Sequence, residues 1–440
     1  MKDIKADVID AKASAIALSA IDTETKNNAL GAMIKALDTF RNKINDANAK
    51  DMISADAMRK KNELTDAMVK RLKVNDEKIN GMIDGIKDVI KLSDPVGETM
   101  SAVELDDNLT LYQIRCPIGL IGVIFESRPD VVPQIMSLCL KSGNAVIFKG
   151  GKEAVNTNRV LFDILSEAAY AAGIPKGVFS IMETREDVSS ILKMDGYVDL
   201  LIPRGSNEFV KYIQDNTKIP VLGHSAGICH VYVDEHADED KALNVALDSK
   251  IQYPAVCNAA ETLLVNKRIA SSFLPKIVNA FVINGVEVRG DEETVRMIGK
   301  GKIKEAKASD WDEEYNDLII SVKVVDSADE AIEFINKHSS KHTDSIVTEN
   351  KGTALKFVDL VDSSSVLVNA STRFSDGYRY GKGAEVGIST NKIHSRGPVG
   401  MEGLTIYKYV LVGNGHVVKD YAGKNAKKFK HRALNDKFEL

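Results

Sequence analysis

The feature that most narrows the folds open to this chain is a change of pattern at residue 118. Residues 109–117 (LTLYQIRCP) alternate apolar and polar side chains, as an antiparallel strand with one wet face does. From 118 the apolar runs become continuous: IGLIGVIF (118–125), NAVIF (144–148), VFSI (178–181), VDLLI (198–202) and PVL (220–222). A strand apolar on both faces must be covered on both, and the stretches between these runs have helical spacing. In 156–172, Val160, Leu161, Ile164, Leu165 and Ala168 share one face and Gly173 marks the stop. Strands alternating with helices in this way predict a doubly wound parallel sheet, which takes its ligands at the carboxyl ends of the strands.

A second series runs through CHVYV (229–233), a helix over 238–250, TLLV (262–265), LIISVKVV (318–325), a helix over 327–338 and SIVT (345–348). It predicts a second α/β domain. SVLVN (365–369), a glycine-rich loop over 375–403 and a last alternating strand, IYKYVLVG (406–413), follow it. Alternating strands at both ends of the folded body invite pairing with another subunit. Before residue 95 the spacing is helical throughout. Leu30, Met33, Ile34, Leu37, Phe40 and Ile44 recur at three- and four-residue steps behind Thr23 as a candidate cap, until Asp94-Pro95-Val96-Gly97 breaks the pattern.

Length and charge remove several function classes. The 440 residues exceed what one hydrophobic core fills, since cores stop growing near about 250–300 residues. A net charge of −5, with only a short lysine run over 424–430, argues against a nucleic-acid partner and makes the C-terminus a solvated tail. Asp3, Asp7 and Asp10 interrupt the N-terminal stretch, so it reads as neither a signal nor a transit peptide, and no apolar run is long enough to span a bilayer. The four cysteines, Cys116, Cys139, Cys229 and Cys257, form no CxxC pair and no disulfide framework, which fits a reducing cytoplasm.

Among these thiols, Cys139 falls on the apolar face of a helix and Cys229 inside an apolar strand, where cysteine acts as a small buried hydrophobe. Cys116, beside Pro117, has no evident partner. Cys257 differs: YPAVCNAA (253–260) is a link of small residues just before a strand, where a thiol faces a cleft and becomes a nucleophile once ionised. His224 and His230 stand six apart around Cys229, but a loop running into a strand puts them on no shared face, so no metal site is expected. No Ser-His-Asp arrangement is visible either. For a nucleotide, no GxGxxG follows a strand and Gly150-Gly151-Lys152 is not a P-loop. What ends the second strand is Phe148-Lys149-Gly150-Gly151-Lys152-Glu153, a lysine and a turn where this architecture meets ligand.

Six segments carry a wider likeness: GLIGVIFESRPDVVP (119–133), AVIFKGGKEA (145–154), LIPRGSNEFV (201–210), Cys257 with the NAAETLLV that follows it, AIEFINKHSSKHTDSIVT (331–348) and GAEVGISTNKIHSRGPVG (383–400). Over almost its whole length the chain resembles the γ-glutamyl phosphate reductases, or glutamate-5-semialdehyde dehydrogenases, a branch of the aldehyde dehydrogenase superfamily. The resemblance implies an α/β, aldehyde-dehydrogenase-like fold of two doubly wound parallel-sheet domains plus a small β oligomerisation element. A helical segment (1–105) would pack on an NADP-binding domain (118–226), with oligomerisation strands (106–117 and 401–415), a catalytic domain (227–400) and a C-terminal tail (416–440). The implied reaction is the NADPH-dependent reduction of L-glutamyl 5-phosphate to L-glutamate 5-semialdehyde and phosphate, the second step of proline biosynthesis from glutamate. The implied setting is a cytoplasmic homo-oligomer with glutamate 5-kinase as a transient partner.

The same resemblance assigns roles. Cys257 matches the superfamily nucleophile, which forms a thioester. Lys149 matches a lysine on the adenosine ribose, with Gly150 and Lys152 in its turn, and Glu314 matches a glutamate on the nicotinamide ribose. Arg204-Gly205-Ser206 stands where a helix approaches the pyrophosphate. Arg128, Arg379 and Arg396, in matching loops, are nominated for the substrate's phosphate and α-carboxylate, since guanidinium meets such anions through paired hydrogen bonds. Two departures stand out. The glutamate that activates water in ordinary aldehyde dehydrogenases is missing, for no Asp or Glu occurs between Asp215 and Asp234, so hydrolysis loses its general base. The oxyanion-hole asparagine is absent from Glu126-Ser127-Arg128-Pro129. Phosphate, already an anion, is then the expected acyl partner. A hydrolytic aldehyde dehydrogenase and a non-catalytic protein with this fold are the rivals. The missing carboxylate opposes the first, and the joint presence of Cys257, Lys149 and Glu314 opposes the second.

Overall fold

The computed structural model describes residues 4–182, 185–224 and 226–439. The chain divides into two compact units, one of Met1–Gly205, Tyr212–Val221 and Val399–Leu440, the other of Ser206–Lys211 and Leu222–Pro398. In chain order the first strands are β1 (Thr99–Asp106), β2 (Leu109–Pro117), β3 (Leu120–Phe125), β4 (Ala145–Gly150), β5 (Phe179–Met182) and β6 (Leu200–Arg204). Those of the second unit are β7 (Cys229–Val233), β8 (Ala260–Asn266), β9 (Glu287–Gly290), β10 (Lys304–Glu305), β11 (Ile319–Val325), β12 (Thr343–Val347) and β13 (Ser365–Val368). Two short strands, β14 (Gly387–Ser389) and β15 (Gly397–Val399), pair with each other, and β16 (Thr405–Val412) and β17 (Arg432–Leu434) belong to the first unit.

In the first unit β3 to β6 form a parallel sheet in the order β5-β4-β3-β6. Every residue of β3 is buried, so its run is continuously apolar rather than alternating. The expected strand over 220–222 contributes a single bridge, Val221 to Leu201. Pro220 accepts from the Leu201 N–H but has no N–H with which to extend a ladder.

The helices Thr23–Thr39 and Asp76–Lys91 turn Leu30, Met33, Leu37, Ile79 and Ile86 inward. Asp22 rather than Thr23 caps the first of them, its carboxylate accepting from Thr25 N at 2.7 Å. Phe40, expected on the buried face, is 43% exposed because the helix ends there. From the helix Arg41–Lys60, the buried Asp51 accepts from the N–H groups of Asn156 and Thr157 and from the Thr157 hydroxyl. It thus caps the helix Val155–Ala171 from a hundred residues upstream and ties the N-terminal helices to the sheet's helical layer.

Residues 99–106, expected within the helical segment 1–105, form β1 instead. The Pro95–Gly97 break precedes them, and the turn Asp107-Asn108, with Asn108 at φ 60°, folds β1 onto β2. β2 pairs on its other side with β16 of the same chain, Arg115 opposite Tyr407, in an antiparallel sheet ordered β16-β2-β1-β17. The tail expected to be solvated therefore supplies a strand. Lys430 and Arg432 hold it by ion pairs to Glu104 on β1, and Lys430 also meets Asp107.

The second unit is built on a seven-stranded parallel sheet, β10-β9-β11-β8-β7-β12-β13. Alternation along β7 feeds two layers. Val231 and Val233 pack with Phe273, Ile277 and Phe281 of the helix Lys267–Ile283, whereas Tyr232 packs with Ile335, Ile346 and Phe357 on the opposite face.

Candidate active site

Cys257 lies in the irregular link between the helix Glu239–Ile251 and β8. Three contacts fix this link. Asn258 Nδ2 donates to Ser375 O at 2.8 Å, Cys229 Sγ donates to Cys257 O at 3.2 Å, and Ala259 N donates to Val256 O. The loop before β7 runs against it so closely that a Cβ on Gly227 would stand 2.4 Å from the Cys257 Cα and carbonyl oxygen. Glycine is therefore required at 227 to let the two backbones meet. Cys257 is partly exposed. Cys139 and Cys229 are fully buried, and burial pushes both thiols well above their ordinary range. Burial also raises the Cys116 thiol, with Lys408 opposing it.

Two histidines join Cys257. The thiol sulfur and one ring nitrogen each of His224 and His342 lie within 4.8 Å of one another, and the two rings meet edge to face at 5.0 Å. His224 Nδ1 stands 2.9 Å from Ile388 O, a group that can only accept, so Nδ1 carries the proton and Nε2 is the basic nitrogen. His342 is fully buried, its Nδ1 is 2.8 Å from Thr343 Oγ1, and its Nε2 has no hydrogen-bond partner among the described residues. His230, which the sequence set beside His224, is elsewhere: fully buried, with Nδ1 2.8 Å from Asp344 Oδ1. The arrangement corrects one expectation. The interval between Asp215 and Asp234 lacks a carboxylate, yet it brings an imidazole, His224, to within 4.8 Å of the Cys257 thiol sulfur.

Of the nominated arginines in this unit, Arg396 is committed to a structural brace, donating to Thr390 O and Asp362 O and pairing with the Asp362 carboxylate at 3.2 Å. Arg379 donates to Arg373 O at 3.1 Å. Arg373, which the sequence did not single out, is 8% exposed and donates Nε to Gln252. Burial pulls its guanidinium below the usual range, Arg379 acts in the same sense and Cys257 opposes them, which puts the Arg373 charge within electrostatic reach of the thiol.

Glu314 accepts from Asn207 Nδ2 at 2.6 Å. The residues after it rest on a buried pair that the sequence also missed. Lys250 Nζ sits 2.6 Å from Glu261 Oε2 with neither side chain accessible, and the same ammonium lies 5.9 Å from the Tyr315 ring centre. Burial pushes the Glu261 carboxyl up to about 8, with Lys250 and the Asn316 backbone N–H drawing it down. Burial likewise pulls Lys250 below its ordinary range.

In the first unit, Lys149 near the end of β4 is 8% exposed and donates to Gly150 O. Lys152 pairs loosely with Glu63 at 3.3 Å. Side chains at Gly150 and Gly151 would strike Asn158 Nδ2 and the Glu153 carboxylate. Glu153 in turn accepts from the backbone N–H and hydroxyl of Ser127, anchoring the loop that carries Arg128. Arg204 ends β6, its carbonyl accepting from Glu126 N; in the second unit, Ser206 Oγ accepts from Phe209 N at the start of the helix Asn207–Asp215. Lys149 and Arg204, cations at the ends of parallel strands of the first unit, are groups of the kind that meets the phosphates of a dinucleotide.

Residues 2–299 match the model of the aldehyde dehydrogenase family. The chain is 63% identical to a γ-glutamyl phosphate reductase of Methanosarcina mazei over 99% of both chains, and 53% identical to one of Acetivibrio thermocellus over 98% of both. The solved γ-glutamyl phosphate reductase of Thermotoga maritima superposes with a TM-score of 0.91 at 41% identity, covering 94% of this chain and 100% of that one. An acetylating aldehyde dehydrogenase of Geobacillus thermoglucosidasius shares the fold at a TM-score of 0.64 and 18% identity, over 94% of this chain and 97% of that one.

Proposed function

Because the chain belongs to the γ-glutamyl phosphate reductases of the aldehyde dehydrogenase family, we propose that it reduces L-glutamyl 5-phosphate with NADPH, through a thioester on Cys257, to L-glutamate 5-semialdehyde and phosphate. This is the second step of proline synthesis from glutamate. The observation that carries the reading is the partly exposed Cys257 beside His224 and His342.

His224 Nε2 takes the thiol proton and the thiolate attacks the acyl carbon. The C–S bond forms as the C–O bond to phosphate breaks, and phosphate departs with the electron pair. Phosphate leaves an acyl phosphate without strong acid help, so the remaining task is to balance charge. We assign that task to Arg373, within electrostatic reach of Cys257, to Arg379 hydrogen-bonded to it, and to Arg128, while Arg396 braces its loop. NADPH supplies the two-electron reduction that turns the thioester into an aldehyde. Lys149, Gly150, Lys152, Arg204, Gly205 and Ser206 would hold its adenosine and pyrophosphate parts, and Glu314 its nicotinamide ribose. The Lys152–Glu63 pair has both side chains well exposed and is weak enough for a ribose phosphate to displace, which favours NADPH over NADH.

No helix among the described residues is long and apolar enough to cross a membrane, which accords with a cytoplasmic enzyme. A homo-oligomer that receives its labile substrate from glutamate 5-kinase completes the reading. The edge strand β16, which exposes Tyr407, Tyr409 and Leu411, supports self-association.

The test runs the reaction backwards. With glutamate semialdehyde and NADP⁺, turnover should require phosphate or arsenate. Without either, NADPH should appear as a single-turnover burst that stalls until phosphate is added. Steady NADPH formation in phosphate-free buffer, with glutamate as product, would mean that His224 activates water and that the chain is a hydrolytic dehydrogenase.

A further inference from the structure

We propose that His224, Cys257 and His342 also form a three-ligand site for a divalent cation of the zinc class, whose occupancy withdraws the nucleophile. The sequence offered no such site, because the third ligand arrives from 85 positions beyond Cys257. The donor set is two imidazoles and a thiol, which selects zinc or cobalt over magnesium or calcium. A tetrahedral zinc ion with bonds of about 2.0–2.3 Å needs ligand atoms about 3.5 Å apart. The three atoms lie within 4.8 Å of one another, so a side-chain adjustment of about 1 Å closes the set.

Two further observations point to a ligand. His342 Nε2 is buried with no hydrogen-bond partner among the described residues, and a buried polar atom left unsatisfied calls for an explanation. His224 is oriented as metal-bound histidines are, its Nδ1–H given to a backbone carbonyl so that Nε2 is the coordinating atom. His224 and Cys257 are both partly exposed, which leaves a fourth position for water. Binding forms a metal–sulfur bond, and the thiol proton passes to solvent with no change of oxidation state. Three protein ligands, two of them partly exposed, make the site an open one, emptied by chelators, rather than a structural centre. Metal and acyl substrate then compete for one sulfur.

The test uses the full chain, reduced and freed of metal by chelation, titrated with Co²⁺. One Co²⁺ per chain should bind with a thiolate-to-cobalt charge-transfer band, be displaced by Zn²⁺, and protect Cys257 from iodoacetamide. Cys257→Ser should lose the band, whereas Cys116→Ser should keep it. His224→Gln and His342→Gln should each weaken Co²⁺ binding by about tenfold or more, on the scale seen when metal-site partners are removed. Should His342→Gln fail to fold, the half-buried His224 and Cys257 variants decide. A band that persists in Cys257→Ser, or an unchanged Co²⁺ affinity in His224→Gln, overturns the proposal. This readout needs no turnover, so it stands apart from any failure of the reductase reading.

Discussion

Replacing Lys250 by methionine leaves a carboxyl with no access to water and no cation. Lys250 and Glu261 form their 2.6 Å pair with side-chain exposures of 0% and 1%. Removing one member of a buried pair costs about 3–5 kcal/mol, whereas replacing both with apolar side chains is often neutral or stabilising by roughly 1–4 kcal/mol. At about 2–4 °C per kcal/mol for a unit of 150–250 residues, Lys250→Met should lower the melting temperature of the second unit by roughly 6–20 °C at pH 8. Lys250→Met/Glu261→Leu should recover most of that loss.

The deficit should also depend on pH. The folded Glu261 carboxyl titrates at about 8 against an ordinary 4.5, and losing Lys250 removes an influence that draws it down. Between these values the folded state keeps a proton that the unfolded chain has lost, so the contribution of Glu261 falls as pH rises through the window. One proton is worth about 1.4 kcal/mol per pH unit, so a Glu261 that stays protonated when folded loses about 4 kcal/mol between pH 5 and pH 8 in the wild type and the variant alike, and the deficit of the variant is the part that Lys250 no longer offsets. In the wild type Lys250 works the other way, since its lowered value yields a contribution that grows as pH rises towards 10.5. Thermal melts of the wild type, the single and the double variants at pH 5.5 and pH 8 decide the matter. A single variant with the same deficit at both pH values, or a double variant that melts as low as the single, refutes the argument.

Cys257→Ser should abolish reductase activity with NADPH affinity nearly unchanged, and inactivation by iodoacetamide should track labelling of Cys257 by peptide mapping; loss that tracks Cys116 would reassign the nucleophile. Lys149→Ala should narrow the preference for NADPH over NADH, read as the ratio of kcat/KM for the two cofactors, and an unchanged ratio would move the phosphate contact elsewhere. Arg373→Lys should raise KM for the acyl phosphate by roughly tenfold or more with a smaller effect on kcat, because lysine cannot reproduce a bidentate guanidinium contact. An unchanged KM would remove Arg373 from the anion site.

What the sequence disclosed follows from which physical signals are local. β7 appears at its expected bounds, 229–233, because a strand buried on both faces writes a continuous apolar run. β9 (EVRG) is short, half-buried and charged, and the helix Lys267–Ile283 carries Pro275 in its interior, so neither announced itself. β17 hid in a lysine-rich tail because its hold on β1 is made by charges that read as solvated. Cys257 was legible as a thiol among small residues. His342 was not, because strand β7 and its neighbour β12 bring it to His224 from 118 residues away. Lys250 and Glu261 were hidden by their type, since neither residue is expected in a core until the fold supplies its partner.

On the proposed mechanism, the missing glutamate and the presence of His224 beside Cys257 fit together. The substrate reaches Cys257 with a phosphate on the reacting carbon, and in reverse a free phosphate must come to the same point. A carboxylate base held there would face that anion, and two unit charges at 4 Å repel by about 4 kcal/mol at an effective dielectric constant of 20. An imidazole carries no charge when it is ready to accept the thiol proton and a positive charge once it has done so. In the proposed mechanism His224 becomes cationic as the thiolate forms and phosphate departs, adding to Arg373 and Arg379 when negative charge is greatest. When the aldehyde is oxidised the imidazolium must lose its proton before it can activate water, while phosphate gains from the proton's presence. The base that suits an anionic acyl partner is thus one whose charged form attracts it, and on the proposed mechanism that asymmetry sets phosphate ahead of water even with an imidazole beside the thiol.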